Sequence, residues 1–218
     1  MTFTQYLHEI TKEIWRDSKY HPFVQELVTG KLPIEIFRFY LIQDTYYLHH
    51  FAKAHQEIID RTDNQRIIQS QQFCKAGLEA SELTIRNDFF KQLNLTKTER
   101  EKTPIAPTAY NYVSHIYRQF LDGSLASALS SLLPCYWLYY EIGETFATKT
   151  SPVPIYQAFL DTYHSDGFKQ VLDELIQLVD ELADHASLEE RKQMEEAFVR
   201  SSYYELNFWE MSYTKEGW

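Results

Sequence analysis

Glycine and proline are scarce in this chain, six and seven among 218 residues. That scarcity disfavours a turn-rich β fold, which needs breakers at short, regular intervals. Cysteine is rarer still. Cys74 and Cys135 are the only two and form no spacing pattern. With no leader segment legible at the start, reduced thiols and a cytoplasmic location are the expectation. Positive charge is also in deficit, 21 Lys and Arg against 31 Asp and Glu, for a net charge of −10. Such a chain repels phosphate backbones, and with no basic run present nucleic acid is excluded as a partner. No membrane span is expected. The apolar stretch 125–142 is interrupted by Ser127, Ser130, Ser131 and Pro134 and falls short of the ~20 apolar residues required. No glycine-rich phosphate loop, no G-x-S-x-G elbow and no H-E-x-x-H occurs.

Aromatic residues are what the chain has in excess. Sixteen tyrosines, fourteen phenylalanines and four tryptophans make up 16% of it. Most of these are ordinary core. Tyrosine in this number also points to a pocket with hydroxyls turned inward, because a buried phenol needs a hydrogen-bond partner. With 44% hydrophobic residues, a chain this long can bury roughly 70% of its unfolded surface as one domain.

Nearly every segment reads as helix. Thr2 and Gln5 have capping-box spacing and open a helix to about residue 15. A short helix from Pro22 stops at Gly30, and Pro33 starts a long one to about 61. Asp63 or Asn64 can cap a helix running to about 93, and the polar stretch 94–103 reads as loop. Helices follow over about 108–121 and, behind a Ser124 cap, to about 147. Pro152 and Pro154 begin a shorter helix to about 163, Ser165 opens another to about 185, and Ser187 with Glu190 opens the last, to about 213. No repeat or linker divides the chain, so residues 1–218 are expected to form a single all-α domain, a helical bundle.

Three helices carry apolar stripes at spacings of three and four, and each stripe is interrupted. Asp44 sits within Phe37, Tyr40, Leu41, Tyr47, Leu48 and Phe51. Glu205 sits within Met194, Phe198, Ser201, Tyr204, Phe208 and Met211. Cys135 sits within Leu125, Leu129, Leu132, Tyr139, Ile142 and Phe146. A carboxylate on an apolar face costs several kcal/mol unless it is paired, hydrogen-bonded or protonated. Two carboxylates and a thiol on three stripes are therefore either structural hydrogen-bonders or an active site. Cys135 is open in the same way, since a buried cysteine usually acts as a small hydrophobe. Pro134 beside it removes one helical hydrogen bond, frees the Ser130 carbonyl and is expected to kink the helix. Cys74 has no comparable setting and reads as structural. His49, His50 and His55 near Glu57 raise a metal site, but adjacent histidines on a helix diverge by about 100° and the Glu-x-x-His pattern is absent.

Several segments, spread almost end to end, resemble one family. They are His21-Pro22-Phe23-Val24 with Gly30 and Pro33, Tyr40-Leu41-Ile42-Gln43-Asp44 with Tyr47-Leu48, and Tyr112. They continue with Leu133-Pro134-Cys135 through Glu141-Ile142-Gly143, Tyr156 with Tyr163, and Ser201, Tyr204-Glu205, Phe208-Trp209 and Tyr213. Together these resemble thiaminase II, the TenA family of aminopyrimidine aminohydrolases. The resemblance implies a haem oxygenase-like helical fold without haem and a homotetramer. It implies hydrolysis of 4-amino-5-aminomethyl-2-methylpyrimidine to the hydroxymethylpyrimidine and ammonia in thiamin salvage, often with cleavage of thiamin itself. Carried over residue by residue, Cys135 is the nucleophile, Glu205 the acid/base partner and Asp44 the group that binds the pyrimidine edge. Tyr47, Tyr112, Tyr139, Tyr163 and Phe208 line the pocket. No metal or organic cofactor is implied.

Two other classes compete with this reading. One is a non-catalytic binder of a pyrimidine or thiamin-like ligand, which needs neither the thiol nor Glu205. The other is a haem or di-iron enzyme of the same fold, for which His8 on the first helix is the candidate axial ligand.

Overall fold

The computed structural model describes residues 1–79 and 84–218. Within them the chain forms eleven helices and no strand: α1 Phe3–Lys19, α2 Pro22–Thr29, α3 Ile34–Asp60, α4 Gln65–Leu78, α5 Thr84–Gln92, α6 Lys97–Lys102, α7 Pro107–Asp122, α8 Leu125–Phe146, α9 Pro154–Tyr163, α10 Asp166–His185 and α11 Leu188–Thr214. The all-helical expectation holds, and most starts follow from local chemistry. At α1 the capping box closes in both directions, Gln5 N to Thr2 Oγ1 at 3.3 Å and Thr2 N to Gln5 Oε1 at 3.0 Å, satisfying donors that a helix N-terminus leaves over. Asn64, Ser124, Ser165 and Ser187 cap α4, α8, α10 and α11 with their side chains.

Two expectations need correction and one lies partly outside the described residues. Helix α1 runs four residues past the expected end. The stretch expected as a loop contains α6, started by Thr96, whose Oγ1 accepts from Glu99 N at 3.1 Å. No residue of α6 is buried, so it lacks the apolar periodicity by which longer helices are read; Arg38 anchors it instead, gripping both oxygens of Glu99 at 2.6 Å. The single helix expected over 64–93 is described as α4 and α5, with residues 80–83 outside the described range.

Helix α8 is the axis of the fold. It packs along α11, with α10, α7 and α9 around it, and nearly all of it from Ala126 to Tyr139 is buried. A helix apolar all round belongs in a core. Its serines fit because each hydroxyl finds a backbone acceptor: Ser130 Oγ reaches the Met194 carbonyl of α11 at 2.8 Å and Ser131 Oγ the Ala128 carbonyl at 2.7 Å. In return Ser201 Oγ of α11 donates to the Ser131 carbonyl at 2.7 Å. The helix continues through Pro134. Helix α1 closes onto α11 through two reciprocal bonds, Trp15 Nε1 to Ser202 Oγ at 2.9 Å and Trp209 Nε1 to Ser18 Oγ at 2.8 Å. One hydrophobic core joins the helices.

Gly30 shows how tightly the ends interlock. It ends α2 in the left-handed region, φ 72°, where a side chain is strained. A Cβ there would also stand 2.5 Å from Pro152 Cγ and 2.9 Å from Cδ, and a proline ring cannot swing away. Gly30→Ala is expected to destabilise the fold by about 1–3 kcal/mol. Denaturant unfolding checks this; an unchanged midpoint would show that the α2–α9 junction yields.

Candidate active site

The three interrupted stripes meet. Asp44 and Tyr47 come from α3, Tyr112 from α7, Cys135 and Tyr139 from α8, Tyr163 from the last position of α9, and Glu205 and Phe208 from α11. All eight line one cavity, together with Leu48 and Phe168. Local sequence explains several placements. Asp44 and Cys135 each lie one turn from a tyrosine on the same face, Tyr40 and Tyr139. Gly143, one turn beyond Tyr139, lets the end of α9 approach α8: a Cβ at Gly143 would be 3.0 Å from the backbone of Tyr163. Tyr163 therefore packs on Tyr139, ring centroids 4.7 Å apart. The Ser165 cap accepts from Phe168 N and holds that ring edge-on to Tyr163 at 5.3 Å.

The two carboxylates are nearly sealed from solvent, Asp44 4% and Glu205 2% exposed, and each is met by donors. Tyr112 OH donates to Glu205 Oε1 at 2.7 Å. Tyr40 OH donates to Asp44 Oδ1 at 3.2 Å and lies 3.0 Å from Tyr139 OH. Arg86 of α5 donates through Nε to Asp44 Oδ2 at 2.5 Å and through Nη2 to Tyr163 OH at 2.6 Å. Charge-assisted bonds of this kind offset the cost of burying a carboxylate.

Burial, above all, holds the phenols of Tyr40, Tyr47, Tyr112 and Tyr139 well above the usual tyrosine range. For Tyr47 and Tyr112 the neighbouring Cys135 and Glu205 add to the effect, so the thiol and the carboxyl group both lie close to this tyrosine pair, whose rings are 4.7 Å apart. Neutral phenols can donate hydrogen bonds while their faces wall a flat slot. The arrangement can hold a planar heterocycle, present a nucleophile to it and supply an acid beside it.

Cys74 is elsewhere, fully buried, its thiol pushed up to about 12 by burial. The histidines of the metal reading have other partners: His50 Nδ1 meets Tyr117 OH at 3.1 Å, and His55 is bound by Gln71 Oε1 at 2.7 Å and Tyr136 OH at 3.0 Å. His8 is partly exposed, bonded to Glu141 and stacked on Trp137. Among the described residues no three His, Cys, Asp or Glu side chains gather as a metal would need, and no helix is long and apolar enough to cross a membrane.

Sequence reasoning missed four participants. Tyr40 and Leu48 stood in the α3 stripe without a role. Phe168 carried no signal beyond its cap. Arg86 had one: with Phe89 and Phe90 it forms the buried face of α5, so it interrupts an apolar stripe as Asp44 and Glu205 do.

Behind Cys135 its neighbour Tyr136 rests on His55. Burial lowers the His55 imidazole to about 4 from the ordinary 6.5. Between those values the unfolded chain binds the proton and the folded chain does not. The contribution is complete above about pH 6.5 and lost as pH falls toward 4. It amounts to about 2–3 kcal/mol. Urea unfolding at pH 7 and pH 4 should show a loss larger by that amount in wild type than in His55→Gln; equal losses would remove His55 from the account.

Residues 8–215 match the family model described as the TENA/THI-4/PQQC family. The chain is 42% identical over 222 residues to an aminopyrimidine aminohydrolase of Bacillus subtilis (strain 168), covering 100% of this chain and 92% of that protein. It is 32% identical over 221 residues to an aminopyrimidine aminohydrolase of Halalkalibacterium halodurans, covering 100% and 98%. Among solved structures it is similar to a TenA homologue from P. horikoshii OT3, with a TM-score of 0.84, 26% identity, and coverage of 98% of this chain and 99% of that one.

Proposed function

The chain belongs to the TENA/THI-4/PQQC family, and we propose that its cavity hydrolyses 4-amino-5-aminomethyl-2-methylpyrimidine to the hydroxymethylpyrimidine and ammonia. It is an aminopyrimidine aminohydrolase, a hydrolase of thiamin-related pyrimidines that serves salvage. The observation that carries the reading is the convergence of Cys135, Glu205 and Asp44 on one aromatic slot. Cleavage of thiamin itself by the same chemistry, a cytoplasmic location and assembly into a homotetramer belong to the same reading.

The bond to be broken joins a ring-bound methylene to nitrogen, and direct displacement there is slow. The Cys135 thiolate adds to an electron-poor ring carbon, forming a carbon–sulfur bond. The displaced electron pair moves to a ring nitrogen, which takes from Glu205 the proton that Cys135 gave that carboxylate on becoming a thiolate. Electrons returning from the ring expel the amine, which enters as the ammonium ion and leaves as ammonia. Water adds to the methylene carbon and gives up a proton, and loss of the ring-nitrogen proton with expulsion of the thiolate restores the aromatic ring. One water is consumed and one ammonia released. Each proton transfer contributes typically about 10²–10⁴-fold. Asp44 accepts a hydrogen bond from the exocyclic amino group. Tyr47, Tyr112, Tyr139, Tyr163 and Phe208 hold the ring and exclude water. Tyr112, donating to Glu205, keeps that carboxyl aimed.

Incubation with the aminopyrimidine and, separately, with thiamin should yield hydroxymethylpyrimidine from both. Stoichiometric binding without product would favour a binding protein instead. Cys135→Ala should lower ammonia release by about 10³-fold or more while pyrimidine binding survives; an active Cys135→Ala enzyme ends the nucleophile assignment. Glu205→Gln should lower kcat far more than it raises KM, and the reverse pattern would make Glu205 a binding group.

A further inference from the structure

We propose that Arg86 is a positioning residue that fixes the donor–acceptor pattern of the cavity and thereby selects a 4-amino over a 4-oxo pyrimidine. The inference rests on the reading of the cavity as a pyrimidine site.

Arg86 is 1% exposed, one of the largest side chains buried in the molecule. Its guanidinium lies over the Phe159 ring at 5.2 Å and bridges two cavity-lining residues, Asp44 at 2.5 Å and Tyr163 at 2.6 Å. A buried arginine–carboxylate pair is often no more stable than a well-packed apolar pair of the same size, so stability alone does not account for it. What an arginine adds is direction. It carries only donors, so Asp44 Oδ2 and the Tyr163 oxygen must both accept, and the Tyr163 proton is turned away from Arg86.

The constraint passes down the row. Tyr40 spends its single proton on Asp44 Oδ1. In the 3.0 Å contact between Tyr40 and Tyr139, Tyr139 is therefore the donor. The order is fixed from end to end: Tyr139 to Tyr40, Tyr40 to Asp44, Arg86 to Asp44, Arg86 to Tyr163. Asp44 and Tyr139 then face a ligand as acceptors only. A 4-amino group has protons to give them. A 4-oxo group presents lone pairs to lone pairs. A site built to hydrogen-bond one group can reject the wrong one by orders of magnitude, because its buried polar atoms are left unmet. Lysine cannot reproduce this, since its single point charge does not span two acceptors as the planar fork does.

The test is calorimetric binding of 4-amino-5-hydroxymethyl-2-methylpyrimidine and of its 4-oxo counterpart to wild type, Arg86→Gln and Arg86→Lys, with circular dichroism to confirm folding. Wild type should prefer the amino form by about 100-fold or more. Arg86→Gln should lose about tenfold or more of that preference, chiefly through weaker amino binding, and its KM should rise more than its kcat falls. Arg86→Lys should recover part of the preference. A folded Arg86→Gln with the wild-type ratio would make Arg86 packing only and overturn the inference while leaving the pyrimidine reading intact. If Arg86→Gln does not fold, Arg86→Lys decides, and a full wild-type ratio there overturns it. A wild type that binds both forms equally overturns it without any variant, and one that binds neither overturns the pyrimidine reading as well.

Discussion

Burying a carboxylate is the constraint around which this molecule is arranged. Asp44 and Glu205 occupy positions where the helical period calls for an apolar side chain, and in a low-dielectric interior each has to be met by donors or lose its charge. Three donors meet them: Tyr112 on α7 for Glu205, and for Asp44 Tyr40 one turn earlier and Arg86 on α5, which is held in turn to Tyr163 on α9. Meeting that demand pulls α3, α5, α7, α9 and α11 to fixed distances from one another. The slot between them is what remains once the demand is met.

The rest of the architecture makes this tolerable. Helix α8 carries Cys135 into the centre because its small hydroxyl-bearing residues let α11 lie close, each serine bonding to backbone rather than to water. The aromatic excess supplies walls that are rigid for their size: Tyr112 stacks on Tyr204 at 5.1 Å, and Tyr139 and Tyr40 rest on Trp209 at 5.2 and 5.5 Å. Trp209 is itself pinned by Ser18. Every ring in contact with the slot thus has a second ring or a hydrogen bond behind it, and a catalytic site needs such support to keep its geometry.

How much of this could be read from residues alone depended on helix length. In α3, α8 and α11, of 27, 22 and 27 residues, the apolar period repeats often enough for one wrong residue to stand out, and Asp44, Cys135 and Glu205 did. In α5 the buried stripe is only Arg86, Phe89 and Phe90, too few positions for one charged residue to stand out as it does in a longer helix. Helix α6 failed for a related reason: with nothing buried, its only signature was the Thr96 to Glu99 spacing. The pairing of Arg86 with Asp44 spans 42 residues and no local pattern encodes it. The meeting of Asp44 and Glu205 was accessible only as an inference from two separate anomalies.

The distance along the chain between those anomalies has a kinetic consequence. Contacts between residues far apart in sequence form late, because the entropy of closing the intervening loop must be met before they stabilise anything. Helix α11 brings Glu205 to a slot whose other walls come from α3, α7, α8, α9 and α10, and α1 docks on α11 through its Trp15 and Ser18 bonds. Until that docking occurs, the Cys135 thiol rides on a helix whose main packing face is still open to water, and Glu205 is absent from the cavity it shares with Cys135. Completion of the fold and completion of the slot are therefore one event.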